Sequence, residues 1–332
     1  MKLLTFKKWA AVNGSLLLIL VAIILAGVCI GAGHINILEA IRNADQRDAA
    51  ILFSSRLPRV LLAALVGMAL ASSGGAFQVL LKNPLADPFI LGVSGGAALG
   101  SVAAVGLHLS FGSISAAAFI SALLTILLIF AIARTKGRLP THTLLLTGVI
   151  FNAFCFALIL FINAIVTMEQ AYQIIFLLIG NLEATNYTTI AIVAAFVLTG
   201  FAALAVFASK MNVLSLGDES ASNLGINPER LRVIIFVASS LMVGAAVAVS
   251  GLIGFVGLFI PHTIRLIFGP DHRLLIPASG ILGAAFLVAS DTAARTLLMN
   301  TSYATELPVG VITALIGAPF FVFLLKRQQR AL

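Results

Sequence analysis

LSLGDESASNLGINPERLR, Leu214–Arg232, is the one compact polar stretch in an almost continuous series of apolar segments. Asp218 and Glu219 suit the first turn of a short helix, because the positive end of the peptide dipoles favours acidic side chains there. Gly225 is placed to end this helix in a left-handed conformation. The stretch therefore predicts a short polar helix between two hydrophobic segments.

A second helix is predicted to begin directly after the first. Asn227 suits the N-cap, and Pro228 suits the first helical position because its missing N–H has no partner there. Glu229 follows in the first turn. Region 214–228 is therefore predicted to be a rigid polar bracket on the inner face of a membrane, of the kind that a partner protein can push against.

The composition excludes an ordinary soluble domain. Of the 332 residues, 61% are hydrophobic and 10% are charged, whereas about 25% are charged in typical soluble domains. The first apolar segment, 9–32, is too long for the hydrophobic part of a signal peptide and lacks a convincing cleavage site, so it is interpreted as a span. The whole chain, 1–332, is expected to form a single all-α transmembrane domain.

Ten membrane spans are predicted when each apolar segment must supply about 20 residues, the length of helix that crosses a bilayer. Their approximate limits are 11–32, 60–80, 90–108, 114–133, 143–166, 187–208, 231–250, 252–268, 275–296 and 307–325. The eighth is glycine-rich and follows the seventh almost without a loop. If it did not cross, the C-terminus would lie on the other side of the membrane.

Charge placement favours a cytoplasmic N-terminus and a cytoplasmic C-terminus in a multi-pass protein of the inner membrane. In the ten-span topology fifteen of the twenty basic residues fall on the inner side, in line with the general bias of membrane proteins. These fifteen are Lys2, Lys7, Lys8, Lys82, Arg134, Lys136, Arg138, Lys210, Arg230, Arg232, Arg265, Arg273, Lys326, Arg327 and Arg330. The net charge of +8 is thus a topology signal. Nucleic acid is not expected as a partner, because it would need a basic solvated face with interleaved aromatic residues.

The outer side carries the basic residues that oppose this bias. Segment 33–57 is predicted to be a short interfacial helix whose charges neutralise one another. Arg56 and Arg59 have no acid within four residues, and Arg295 ends the ninth span on the same side. These three arginines either reach lipid phosphates or form an exposed basic cluster. Such a cluster would receive acidic side chains of an extracytoplasmic partner, since forked guanidinium groups pair carboxylates well.

The loop KNPLADP, Lys82–Pro88, is predicted to be a fixed inner turn between the second and third spans. Its two prolines and Asn83 interrupt the helical pattern. The turn is either a second contact for an inner partner or only a tight connection.

An enzyme active site is not predicted. The sequence lacks an HExxH motif, paired intramembrane carboxylates and a nucleophile elbow. Asp291 is the one acid well inside a predicted span, but Arg295 follows it at i+4, which favours a structural ion pair. A proton-coupled secondary carrier of a small substrate is the alternative function, although a single acid and no obvious inverted repeat give it little support.

Six motifs, in this order along nearly the whole chain, resemble the FecCD family of permeases from binding-protein-dependent ATP-driven importers. They are SRLPRVLLAALVGMALASSGGAFQ (Ser55–Gln78), NPLADPFILGVSGGA (Asn83–Ala97), LTGVIFNA (Leu146–Ala153), LGDESASNLGI (Leu216–Ile226), GLIGFVGLFIPHTIR (Gly251–Arg265) and ELPVGVITALIGAPFFVFLL (Glu306–Leu325). Members of this type II class carry iron–siderophore complexes, haem and cobalamin.

The resemblance implies a homodimer, or a pseudo-dimer with a sister permease, of ten helices per subunit. Two cytoplasmic ATPase subunits would dock below, and a bilobed substrate-binding protein above. ATP and Mg²⁺ would bind at the ATPase, and the permease would hold no cofactor or metal and catalyse no reaction. The implied ATPase-coupling residues are Gly217, Asp218, Glu219, Ala221 and Gly225. Arg56, Arg59 and Arg295 resemble the outer arginines that pair with a glutamate on each lobe of the binding protein.

The translocation path of such permeases runs along the shared axis and is lined mainly by apolar and small residues. Candidate lining residues are Met68, Ser72, Gln78, Asn152, Asn163 and Phe255. The polar members of this set are equally able to join helices to one another. The resemblance ranks a ferric siderophore first as cargo, then haem, then cobalamin, and no feature of the sequence decides among them.

Overall fold

The computed structural model of the protein is helical throughout almost all of the chain that it describes. The described residues are 4–31, 39–40, 42, 46–135, 138–183, 186–299 and 305–329. Several predicted features lie outside them: residues 33–38, 41 and 43–45 of the interfacial segment, Lys2, Lys136 and Arg330.

Twelve helices are numbered here along the described chain. They are α1 Phe6–Cys29, α2 Gln46–Leu80, α3 Val93–Gly106, α4 Phe111–Ala133, α5 Thr141–Ile165, α6 Met168–Ile179, α7 Tyr187–Leu214, α8 Asp218–Asn223, α9 Pro228–Ser250, α10 Val256–Phe268, α11 His272–Thr296 and α12 Val309–Gln329. Helix α2 contains a stretch of π-helical hydrogen bonding at Ile51–Arg56.

Seven of these helices are long and apolar enough to cross a membrane: α1, α2, α4, α5, α7, α9 and α11. The other three predicted spans fall on α3, α10 and the apolar part of α12, Val309–Phe323, which are each shorter than 18 residues. The all-helical membrane architecture predicted from the sequence is therefore confirmed.

Helix α6 was not predicted. Its 12 residues are too few to cross a bilayer, so the requirement of about 20 apolar residues per span does not identify it. A capping box fixes its start, because the side chains of Thr167 and Gln170 each bond the backbone N–H of the other.

The predicted eighth span is shorter than expected. Residues 251–254 are not helical, Gly251 and Phe255 have positive φ angles of 65° and 69°, and α10 begins at Val256. The Leu252 N–H donates to the Leu177 carbonyl at the end of α6. Non-helical backbone within a membrane requires such internal hydrogen bonds.

Three helices form the centre of the bundle. About three quarters of the apolar windows of α2, α9 and α11 are buried, at 78%, 78% and 72%, against 22% for α1 and 17% for α5. Glycines allow close approach, since a side chain at Gly67 would overlap the backbone of Gly283 in α11, and one at Gly74 would overlap that of Gly257 in α10.

Candidate functional site

The polar helix α8 lies at the end of the bundle where α7 ends and α9 begins, which we call the α8 end. As predicted, Asp218 and Glu219 occupy its first turn, and Gly225 follows it with a φ of 75°. Ala221 is its one buried residue. Leu224, at 66% exposed, presents an apolar side chain to the surroundings beside it.

The predicted second helix also starts where expected. The Asn227 side chain caps α9 by accepting the Arg230 N–H at 3.1 Å, and Pro228 is the first helical residue. The start of α9 is thus fixed by a local hydrogen bond.

A buried arginine joins α8 to α9. Nη2 of Arg232 lies 2.6 Å from both carboxylate oxygens of Asp218, and its Nη1 lies 2.7 Å from Oε1 of Glu229. The Arg232 side chain is 6% exposed. The sequence identifies Arg232 only as a basic residue. Its contact with Asp218 depends on how α8 and α9 meet in the fold.

The Asp218 carboxylate also receives the ammonium group of Lys82, at 3.2 Å, from the end of α2. Partial burial opposes ionisation, but the hydrogen bonds and charges of Arg232 and Lys82 outweigh it and hold the pKa of Asp218 below its ordinary value. A cavity of about 700 Å³ opens beside this cluster, and its lining includes Lys82, Arg138, His142, Asp218, Glu229 and Arg232.

The KNPLADP turn contains side-chain to backbone hydrogen bonds of the kind that a fixed turn requires. The Asn83 side chain accepts the Leu85 N–H at 2.9 Å, and the Asp87 side chain accepts the Phe89 N–H at 2.8 Å at the start of a short 3₁₀ helix. Both ends of the turn are therefore held by side-chain caps.

A further polar group of the α8 end surrounds Asp271, the N-cap of α11. Its carboxylate accepts hydrogen bonds from Arg273 and, at 2.8 Å, from Asn212 at the end of α7. The bond from Arg273 is the main cause that lowers the pKa of Asp271 to about 2.

The opposite end of the bundle, here called the arginine end, contains the three arginines that were predicted to be exposed. Nε of Arg59 lies 3.0 Å from Asp291, and Nε of Arg295 lies 2.9 Å from the other oxygen of the same carboxylate. The predicted Asp291–Arg295 pair is therefore confirmed. Nη1 of Arg59 also bonds Glu306 at 2.8 Å.

Arg56 binds backbone oxygens at the end of α1. Its Nη1 donates to the carbonyl groups of Val28 and Cys29, at 3.1 and 2.9 Å, where α1 ends. Nη2 of Arg295 donates to the Gly27 carbonyl at 3.2 Å. Two arginines thus satisfy the terminal carbonyl groups of α1.

The expectation that these arginines form an exposed cluster is wrong for the chain alone. Arg56 and Arg295 are 3% and 4% exposed, and the Arg59 side chain is 11% exposed. The physical reason is that Arg59 bonds two acids remote from it in sequence, Asp291 and Glu306, while Arg295 shares Asp291 and Arg56 bonds carbonyl groups at the end of α1. Glu306 was not predicted as a site residue, although the lack of any local acid near RLPR indicates that a carboxylate from elsewhere in the chain is needed.

The candidate path residues lie on three parts of the fold. Ser72 is fully buried and donates to the Met68 carbonyl within α2, and Gln78, 3% exposed, accepts from Arg265 at 2.7 Å. The bond between Gln78 and Arg265 of α10 favours the alternative in which polar residues join helices, whereas the Ser72 bond lies within one helix. Asn152 of α5 packs closely against Gly95 of α3, because a side chain at Gly95 would overlap the Asn152 side chain.

The other two candidates are partly buried. Oδ1 of Asn163, in α5, is buried and has no hydrogen-bond partner within the described chain. Phe255 precedes α10 and packs against Gly317 of α12.

Comparison with known proteins relates the chain to a transport system. The model of the FecCD transport family matches residues 17–327. The chain belongs to this family. The resemblance found in its motifs is therefore confirmed over nearly the full length of this FecCD protein.

Relatives with different cargo names match along most of their length. The cobalamin import system permease protein BtuC of Halobacterium salinarum is 43% identical over 85% of this chain and 75% of its own. The hemin transport system permease protein HmuU of Yersinia pestis is 38% identical over 95% of both chains. The Fe(3+)-citrate import system permease protein YfmE of Bacillus subtilis is 33% identical over 99% of both.

A solved structure described as an inward-facing conformation of a metal-chelate type ABC transporter has the same fold. It superposes with a TM-score of 0.86 at 31% identity and covers 96% of this chain and 99% of its own. This FecCD protein is accordingly a permease subunit of an ABC importer and a multi-pass protein of the cell membrane. It is not itself an enzyme, since ATP is hydrolysed by a separate subunit.

Proposed function

We propose that this permease moves an iron–siderophore complex, or haem or cobalamin, across the cytoplasmic membrane. The proposed cargo class rests on the names of the relatives, which record cobalamin, hemin and ferric citrate. Iron chelates recur among them, including the iron chelatin transport system permease protein of Helicobacter pylori, which is 41% identical. A ferric siderophore is therefore ranked first.

The proposed topology has ten crossings with both termini in the cytoplasm. In addition to the seven long helices, α3, α10 and α12 would cross, with the non-helical residues 251–254 extending α10. Lys7, Lys8 and the polar groups around α8 lie at one end of the bundle, in agreement with the cytoplasmic bias of basic residues.

The proposed contact with the ATPase is α8. The coupling residues are Gly217, Asp218, Glu219, Ala221 and Gly225. Exposed leucines flank the helix, with Leu216 and Leu224 at 71% and 66% exposure. Apolar side chains in a polar aqueous loop are typical of a protein contact. ATP and Mg²⁺ would bind at the ATPase and not in this subunit.

The proposed contact with the substrate-binding protein is the arginine end, through Arg56, Arg59 and Arg295. The half-exposed Glu306 is the accessible member of this cluster, since its side chain is 47% exposed. An incoming carboxylate of the binding protein would compete with Glu306 for Arg59.

A second copy of the chain is the proposed partner within the membrane, with the path along the shared axis. The support for this arrangement is that α5 carries Asn163, whose Oδ1 has no hydrogen-bond partner within the described chain, on a helix that is little covered, with Ile150, Phe154 and Phe161 each more than half exposed. Asn152 and Asn163 lie on the same helix. The lining roles of Met68, Ser72, Gln78 and Phe255 remain predictions.

Uptake into proteoliposomes tests the proposed function. Liposomes would hold this permease with its ATPase and binding protein and be given labelled ferric siderophore, haem or cobalamin, with and without ATP. We expect ATP-dependent uptake of one cargo. Uptake driven by a proton gradient without ATP would instead support the secondary-carrier alternative.

A further inference from the structure

Helix α8 has few apolar contacts that could transmit a force to the bundle. It contains six residues, of which Ala221 alone is buried. Gly217 and Gly225 flank it with φ angles of 118° and 75°, and no atom lies within 4 Å of the place where either would carry a side chain. A force on α8 would therefore tend to rotate the helix about these two glycines.

Arg232 supplies the missing connection. Its guanidinium group is held by Asp218 of α8 through Nη2 and by Glu229 of α9 through Nη1, at 2.6 and 2.7 Å. Arg232 is almost fully buried, whereas the two carboxylates are 47% and 30% exposed. The planar, two-sided contact fixes the angle between α8 and α9 across Gly225.

Two neighbouring turns join the same cluster. The other oxygen of Glu229 accepts the Leu139 N–H at 2.7 Å, from the connection between α4 and α5. Lys82, at the end of α2, bonds Asp218. Two cations and two carboxylates thus connect four elements at the α8 end, with no net charge.

We propose that Arg232 is the positioning residue that makes α8, α9 and the two adjoining turns move as one body. The inference rests on the proposed contact between α8 and the ATPase. Movement of α8 would pass through Arg232 to the central helix α9, and through Asp218 and Glu229 to α2 and α5. Without Arg232, α8 would still bind the ATPase but would turn about its glycines.

The test uses the complete importer with Arg232→Met, and Arg230→Met as the matched control. Arg230 lies two residues away on the same helix and is exposed. Two quantities are measured: co-purification of the ATPase, and the factor by which the binding protein stimulates ATP hydrolysis. For Arg232→Met we expect normal co-purification and a stimulation factor reduced at least about fivefold. Arg230→Met should match the wild type in both.

Arg232→Lys keeps the experiment decisive if the methionine variant does not fold. A lysine retains the buried charge beside Glu229, but its single ammonium group cannot hold both carboxylates in one plane. We expect its stimulation factor to lie between those of the wild type and Arg232→Met. Wild-type stimulation in Arg232→Lys, or in a folded Arg232→Met, would overturn the proposal. If the wild-type permease failed to retain the ATPase, the proposed function itself would be wrong.

Discussion

Arg59 and Asp291 lie 232 positions apart in the chain, and Nε of Arg59 donates to the Asp291 carboxylate at 3.0 Å. The same carboxylate accepts from Arg295 at 2.9 Å, and it is 1% exposed. One buried acid therefore pairs with two cations and joins α2 to α11 at the arginine end, while Glu306 supplies the second negative charge. Removal of either the acid or its partners leaves an uncompensated buried charge.

Asp291→Asn should lower the free energy of unfolding by about 3 kcal/mol or more, because two buried guanidinium groups lose their shared counter-charge. The matched control is Glu306→Gln, which removes a half-exposed partner of Arg59 and should cost about 1 kcal/mol or less. Denaturant unfolding of the purified protein in detergent measures both. Equal losses in the two variants would contradict the structural role given to Asp291.

Gly74→Ala should destabilise the bundle by about 2 kcal/mol, because the new methyl group would overlap the Gly257 backbone and push α2 away from α10. Gly14→Ala is the control, since Gly14 has no neighbouring atom within 4 Å of its missing side chain. Its replacement should leave stability unchanged or raise it slightly. Thermal unfolding of both variants distinguishes them, and a harmless Gly74→Ala would argue against the close approach of these helices.

Leu224→Asp should abolish co-purification of the ATPase if α8 is the contact. A charge on an exposed apolar side chain at a protein interface removes its favourable burial and adds desolvation. Leu107→Asp is the control, since Leu107 is 71% exposed at the other end of the bundle. It should retain the ATPase. Recovery of the ATPase with Leu224→Asp would exclude this contact.

The sequence was sufficient for features that depend on local chemistry. The capping role of Asn227, the acids in the first turn of α8 and the left-handed Gly225 follow from rules that act over a few residues. The long apolar helices were equally predictable, because a bilayer imposes their length.

The sequence was insufficient where distant segments meet. The partners of Arg59 come from α11 and from the segment before α12, so no local pattern shows that its charge is already neutralised. Arg232 is a similar case, since its role depends on the angle between α8 and α9. Helix α6 was not predicted because its 12 residues are fewer than the roughly 20 that a membrane span requires.

Acid should destabilise the protein through Asp271, whose ionised carboxylate is favoured first by the ion pair with Arg273 and then by the hydrogen bond from Asn212 of α7. Because the pKa of Asp271 is lowered to about 2, its contribution is complete above its unfolded pKa and disappears as pH falls from about 5 towards 2. The loss should be at most about 2 kcal/mol, and Asp271→Asn should remove this part of the pH dependence. Comparison of the unfolding free energies of both proteins between pH 6 and pH 3 gives the result. A constant difference would contradict the assignment.

Glu306→Gln should strengthen docking of the binding protein, because it removes the internal carboxylate that competes for Arg59. A half-exposed ion pair contributes at most about 1 kcal/mol, so the gain in affinity should be up to about fivefold. Charge reversal of Arg295 is a poorer probe, since it would place two acids together in a buried site beside Asp291. Glu183→Gln is the control, because Glu183 is exposed and forms no ion pair within the described chain. Affinity for the binding protein, measured in nanodiscs at several salt concentrations, tests the prediction. If Glu306→Gln binds no better than Glu183→Gln, Arg59 is not the group that receives the incoming carboxylate.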